Sequence, residues 1–205
     1  SNYVDPDTLQ NMCSSFQCSP NVITVANYNN ESGYVNNEGN WVNLGGNRGE
    51  IALSSGTGPT RNGVIKPDLA ASGQATVSSY PTYLLSFFTD AQLGQGGLHY
   101  KNGGTSMASP VVAGVAALYL EKCNLATNEK FKTDLISSTY TDAWVGSTPN
   151  YSFGYGKLDG FAILVNSVSN DTTTILACQN YTWKSTTYDS SGLYFDTTSN
   201  SFGCD

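Results

Sequence analysis

The segment GGTSMASPVVAGVAALYLEK, residues 103–122, places a serine at the start of a long apolar run. Pro110 is tolerated in the first turn of a helix, where its absent N–H would have no partner, so the sequence predicts a helix beginning at about residues 105–108. Free N–H groups and the positive end of the helix dipole can stabilise a developing oxyanion there. Ser106 is therefore a candidate nucleophile, although a serine alone at such a position is most often an N-cap.

A serine nucleophile needs a base to accept its proton. The chain contains one histidine, His99, which precedes Ser106 by seven residues at the end of a Gly-rich stretch. A single histidine in a loop is usually solvated, so we do not expect His99 to be the base.

The helix that follows Ser106 carries small residues on several faces. These residues are Ala108, Ala113, Gly114, Ala116 and Ala117. Small side chains on several sides allow close packing on several sides, so the sequence predicts a central, buried helix.

Several motifs resemble those of the subtilisin-like serine proteases (subtilases), in the order that this family shows. They are NVITVANYN (residues 21–29), GPTRNGVIKPDLAASG (58–73), GTSMASP (104–110) and GYGKLDGFAIL (154–164). The serine motif is highly specific, whereas Ser72 stands where the family usually has a proline. The resemblance covers about residues 1–168.

The resemblance implies an α/β fold with a parallel sheet flanked by helices, as in the carboxy-terminal half of a subtilisin-like domain. It also implies that Ser106 attacks a peptide carbonyl and forms an acyl-enzyme, that no cofactor is needed, and that Asp68 is structural. In this family the triad runs Asp, His, Ser, so its first two members are expected in an amino-terminal half that precedes residue 1. We expect the chain alone to be inactive; whether that half is a separate chain or the sequence begins partway is open.

Two further assignments near the amino terminus rest on the resemblance. Asn2 lies at about the right distance to be the oxyanion-hole asparagine, but the residue before it is Ser1 and not the usual Gly, so Asn2 could also lie just after the true one. The acidic residues of DPD (5–7) are candidate ligands for a structural Ca²⁺, a weak signal because loop carboxylates are usually solvated.

The amino-acid composition indicates which kinds of molecule the protein binds. Of 205 residues, 39% are hydrophobic and only 12% are charged, with a net charge of −7. The nine basic residues form no patch, which argues against nucleic acid. The longest apolar run, residues 111–120, is too short to span a bilayer. A polar, weakly charged surface of this kind favours a secreted or cell-surface protein that acts on a peptide or protein substrate.

The five cysteines predict at least one disulfide in an exported protein. We predict that Cys13 and Cys18, which are close in sequence, form such a bond; free thiols in a cytosolic protein are the alternative. Cys178 and Cys204 bracket the end of the chain, and the partner of Cys123 is undetermined.

Strands and helices alternate along the chain, which favours a layered parallel sheet. Hydrophobic patterns predict strands at 21–27, 41–44, 50–55 and 74–80, a long loop at 81–102, and further helices at 128–139 and 156–167.

A change in composition near residue 169 predicts a boundary between a peptidase part (1–168) and a β-rich tail (169–205). The tail resembles a tandem repeat of large secreted and surface proteins of Gram-negative bacteria. The matching elements are Cys178, YTW (181–183), TY (187–188), SGLY (191–194) and GCD (203–205). That resemblance implies a stalk or sorting region; a polar linker is the alternative.

Two functions are compatible with these features. The first is a secreted serine endopeptidase that uses Ser106. The second is a non-catalytic surface or adhesive module that retains the subtilase scaffold, and the residues at the Asp and His positions of the triad would distinguish the two.

Overall fold

The computed structural model describes residues 13–167, 174–177, 179–195 and 200–204. The three α-helices are α1 (Thr105–Lys122), α2 (Asn128–Ser137) and α3 (Gly160–Asn166). The strands, in chain order, are β1 (Val25–Asn29), β2 (Gly33–Val35), β3 (Trp41–Asn43), β4 (Leu69–Gln74), β5 (Thr76–Ser79), β6 (His99–Asn102), β7 (Tyr181–Trp183) and β8 (Thr186–Tyr188).

A parallel pair of strands, β1 and β4, lies at the centre of the fold. Their register aligns Val25 with Leu69 and Tyr28 with Ser72, and it shifts between Tyr28 and Asn29. Helix α1 packs across both strands, with α3 beside it. This parallel sheet with helices against it confirms the predicted α/β class, and the pairs β2–β3, β5–β6 and β7–β8 add small antiparallel hairpins.

Single bridges extend the central pair on both sides. Ile51 pairs with Tyr28 in antiparallel orientation, and Lys157 pairs with both Ala70 and Tyr140. The predicted strand at 50–55 is therefore wrong beyond Ile51, because the chain turns where the Ser55 N–H donates to the Ala52 carbonyl at 2.8 Å.

The predicted helix at 156–167 begins later than expected. Asp159 is the N-cap of α3, and its carboxylate accepts from the Ala162 N–H at 2.8 Å. The residues before this cap instead continue the sheet, since the Leu158 N–H donates to the Ala70 carbonyl at 2.9 Å.

The predicted loop at 81–102 contains two regular elements. Residues Thr82–Phe87 form a 3₁₀ helix, and His99–Asn102 form β6, which pairs with β5. Aromatic packing stabilises this segment, since the ring centroids of Phe88 and Tyr100 lie 4.2 Å apart.

The main core lies between the central pair and the helices. Leu69, Val112, Tyr119, Leu135 and Ile163 are all buried there. One side of α1 remains open, however.

Val111 and Leu118 on that open side are 40% and 52% exposed. The prediction of burial on several sides is therefore wrong for the described residues, because the elements that contact α1 cover only part of its circumference.

The cysteine pairing differs from the prediction. Cys123, at the end of α1, is bonded to Cys204, and both are buried. Cys13 and Cys18 are free thiols, because their sulfurs face different carbonyls, those of Thr57 and Ser14. The predicted boundary near residue 169 and Cys178 lie outside the described residues.

Loss of the Cys123–Cys204 bond should destabilise the fold. The bond joins residues 81 apart in sequence, so the double variant C123A/C204A should lower the free energy of unfolding by about 2–4 kcal/mol. Urea denaturation of the full protein measures this. The matched variant C13A/C18A removes two free thiols and should cost less than about 1 kcal/mol. Equal midpoints for the two double variants, or alkylation of Cys123 without reductant, would contradict the pairing.

No helix within the described residues is both long and apolar enough to cross a membrane.

Candidate active site

Ser106 lies at the N-terminus of α1 and is exposed. It is the second residue of the helix, after the N-cap Gly104, whose φ of 126° favours glycine. The N–H groups of Met107 and Ala108 donate to the Gly104 carbonyl at 3.0 and 3.3 Å. The Ser106 N–H precedes this pair in the first turn, where helical N–H groups have no carbonyl one turn back, so it is available to an oxyanion.

Close backbone packing fixes the start of α1 on β4. The Gly104 N–H donates to the Gly73 carbonyl at 3.0 Å. A Cβ on Gly73 would lie 2.6 Å from the Gly104 oxygen and 2.7 Å from the Ala108 nitrogen, so only glycine permits this approach. Strand β4 thereby sets where Ser106 stands.

Pro110 is the sixth residue of α1, beyond the first turn in which the sequence prediction placed it. A proline has no N–H, so the Ser106 carbonyl, one turn earlier, lacks its helical donor. The helix nevertheless continues to Lys122, because Val112 and Tyr119 anchor it in the core.

Ser106 opens into a groove of about 290 Å³. The groove is also lined by Cys13 and Gln17, by Thr24 and by Pro67. Segments that are distant in sequence therefore meet at Ser106.

A buried charge cluster supports this groove from behind. Asp68 accepts from the Lys66 ammonium at 2.6 Å and from the Thr24 N–H at 2.7 Å, and its other oxygen lies 2.9 Å from the Lys132 ammonium. Because Thr24 and Pro67 line the groove, the cluster holds its wall. Both carboxylate oxygens of Asp68 are engaged with lysines, which agrees with a structural role.

The remaining candidate residues do not join the site. His99 is exposed on β6, where it pairs with Ser79, and it does not line the groove. Asn2 and the DPD segment lie outside the described residues. Within the described ranges, no three His, Cys, Asp or Glu residues are grouped to hold a metal ion.

Cys13 is a groove residue that the sequence prediction assigned only to a disulfide. Burial, followed by the neighbouring Cys18, raises the pKa of the Cys13 thiol. The thiol is thus protonated at neutral pH and is a poor competitor for Ser106 as a nucleophile.

An exposed serine at the mouth of a helix that packs on a parallel sheet is an arrangement that serine hydrolases use for their nucleophile. The model of the Peptidase S8, or subtilase, family matches residues 2–156. The chain belongs to the subtilase family of serine peptidases.

Individual relatives are similar over part of their length. The serine protease AprX of Bacillus subtilis is 33% identical over 111 residues, which is 53% of this chain and 24% of AprX. An uncharacterised protein of Aquifex aeolicus, aq_aa18, is 39% identical over 97 residues, 47% of this chain and 43% of that protein. The structure of the CspB protease of Clostridium perfringens is 25% identical with a TM-score of 0.48, and the match covers 70% of this chain and 25% of CspB. The chain thus spans less than half the length of these relatives.

Proposed function

We propose that this chain carries the nucleophile of a secreted serine endopeptidase that hydrolyses peptide bonds through an acyl-enzyme on Ser106. The triad Asp and His are supplied by polypeptide outside residues 1–205. The observation that carries this proposal is the exposed Ser106 hydroxyl at the start of α1, open to a groove lined by several segments.

The proposed reaction follows the logic of a serine triad. The Ser106 oxygen attacks the peptide carbonyl while a histidine takes its proton, and the resulting oxyanion accepts from the Ser106 N–H. The C–N bond then breaks, and the leaving amine receives that proton from the histidine. A water molecule, activated by the same histidine, hydrolyses the ester and restores the Ser106 hydroxyl.

The open side of α1 supports the contribution of a further part of the domain. Val111, Leu118 and Leu120 remain 40%, 52% and 45% exposed in the described part of the chain. An apolar face of this kind normally packs against another element. We propose that the amino-terminal half of the peptidase domain covers it and brings the histidine to Ser106.

Secretion is supported by the buried disulfide. A bond such as Cys123–Cys204 forms and persists in oxidising compartments. The exposed hairpin β7–β8, which contains the YTW and TY elements of the tail, supports a surface stalk or sorting region after the peptidase part.

The test compares residues 1–205 alone with the full protein on a fluorogenic peptide mixture. We expect hydrolysis by the full protein only, and a histidine and an aspartate whose replacement abolishes it. The proposal would be contradicted if the full protein cleaved no peptide and had other residues at the Asp and His positions of the triad. That result would favour a non-catalytic surface module.

A further inference from the structure

A second pocket is lined by residues that immediately precede α1 and lead into Ser106. Its volume is about 410 Å³, and it is lined by Asn102 and Gly103 together with residues of β2, β4 and β6. Gly103 precedes Ser106 by only three residues, so this wall of the pocket lies within about 11 Å of Ser106, in reach of a peptide held there.

The charge in this pocket has one sign. Lys101 is half-buried and is the only charged residue among the described residues that line it. No carboxylate in the described part of the chain forms a salt bridge with Lys101. Asp90, on the segment that precedes β6, is instead bound by the Asn37 side-chain amide at 2.7 Å. The Lys101 ammonium is therefore available to an outside anion.

The pocket also presents amide donors. The side-chain oxygen of Gln92 accepts from the Thr89 N–H at 3.0 Å, and that of Asn102 accepts from the Gly103 N–H at 2.8 Å. With their oxygens occupied in this way, both side chains leave their NH₂ groups free to donate. A cation with neutral N–H donors around it is the combination that binds a carboxylate.

We propose that this pocket binds an Asp or Glu side chain of the substrate, and that Lys101 is the residue that sets this preference. The inference rests on the proposed function, since it names the substrate class for the same site. An acidic protein that attracts an acidic side chain needs such a local cation, because the net charge of −7 would otherwise repel it.

The preference is measured with a proteome-derived peptide library and the full protein, with cleavage sites read by mass spectrometry. We expect Asp and Glu to be enriched at one fixed position relative to the cleaved bond, by about three- to tenfold over Gln and Asn. Raising the salt concentration from about 0.05 to about 0.5 M should reduce this enrichment, because it shortens the screening length.

Two substitutions of Lys101 test whether the enrichment depends on the positive charge of this side chain. Lys101→Met should remove the enrichment, and Lys101→Glu should shift it to Lys and Arg at the same position. The matched control Arg61→Gln removes one positive charge from an exposed turn outside both pockets and should keep the parental pattern. Thermal midpoints close to the parental value show that each variant is folded.

Binding provides a second readout that does not need turnover. Fluorescently labelled peptide pools with Glu or Gln at each position in turn are titrated against full protein carrying Ser106→Ala. Tighter binding of Glu pools, lost in the additional variant Lys101→Met, supports the inference. Equal affinity of Glu and Gln pools at every position, or an enrichment that survives Lys101→Met, overturns it. Failure of the parent to cleave any peptide counts instead against the proposed function.

Discussion

Replacement of Ser106 by alanine in the full protein should lower kcat by about 10⁶-fold, because in the proposed reaction it removes the nucleophile of a cooperating triad. Substrate binding should change little, since the Ser106 N–H and the groove are retained. The measurement is steady-state hydrolysis of a peptide that the parent cleaves, with kcat and KM determined separately.

Ser109 offers a matched control for this prediction. It lines the same groove, is also exposed, and follows Ser106 by three residues on α1. Ser109→Ala should reduce kcat by less than about tenfold, because its hydroxyl forms no bond in the proposed reaction. Equal losses for the two variants would show that the groove, and not the Ser106 hydroxyl, carries the effect.

Replacement of Asp68 by asparagine should lower the free energy of unfolding by about 3–5 kcal/mol. The Asp68 carboxylate lies 2.6 Å from the ammonium of Lys66, whose side chain is only 1% exposed. Without the carboxylate, that ammonium keeps the Val22 carbonyl at 2.6 Å as an acceptor but loses its buried counterion. Urea denaturation of the full protein measures the loss.

Glu31→Gln is the control for Asp68→Asn, because it makes the same chemical change in an exposed pair. Glu31 lies 3.7 Å from Arg48, and their side chains are 50% and 76% exposed, so the expected change is below about 1 kcal/mol. A similar small change for Asp68→Asn would mean that the cluster does not hold the groove wall.

The elements with strong local signals were predicted correctly. α1 begins at Thr105 and α2 spans Asn128–Ser137, where Thr127 caps the helix by accepting from the Lys130 N–H. β1 overlaps the strand predicted at 21–27, and β5 lies within the one predicted at 74–80. Such elements depend on nearby residues, and their sequence patterns therefore suffice.

Features that depend on distant residues were missed. The Cys123–Cys204 bond joins segments 81 residues apart, so spacing favoured the wrong pair. Strand β6 depends on pairing with β5 and on the contact of Phe88 with Tyr100, neither of which has a periodic signal.

The candidate site shows the same division between local and distant signals. The motif around Ser106 singles out that residue from the sequence, whereas Cys13 and Thr24 become groove residues only when their segment meets the start of α1. Residues 13–24 carry no pattern of their own that marks a groove wall, because the wall is formed by contact with a part of the chain far away in sequence.

The role of Ser106 as the nucleophile is tested most directly by labelling the full protein with a fluorophosphonate and locating the adduct by peptide mass spectrometry. Ser14 and Ser109 line the same groove and serve as internal comparisons for Ser106. We expect one adduct per protein, on Ser106, with loss of peptide hydrolysis in proportion to labelling. An adduct on Ser14 or Ser109, or an unlabelled Ser106 in protein that hydrolyses peptides, would contradict that role of Ser106.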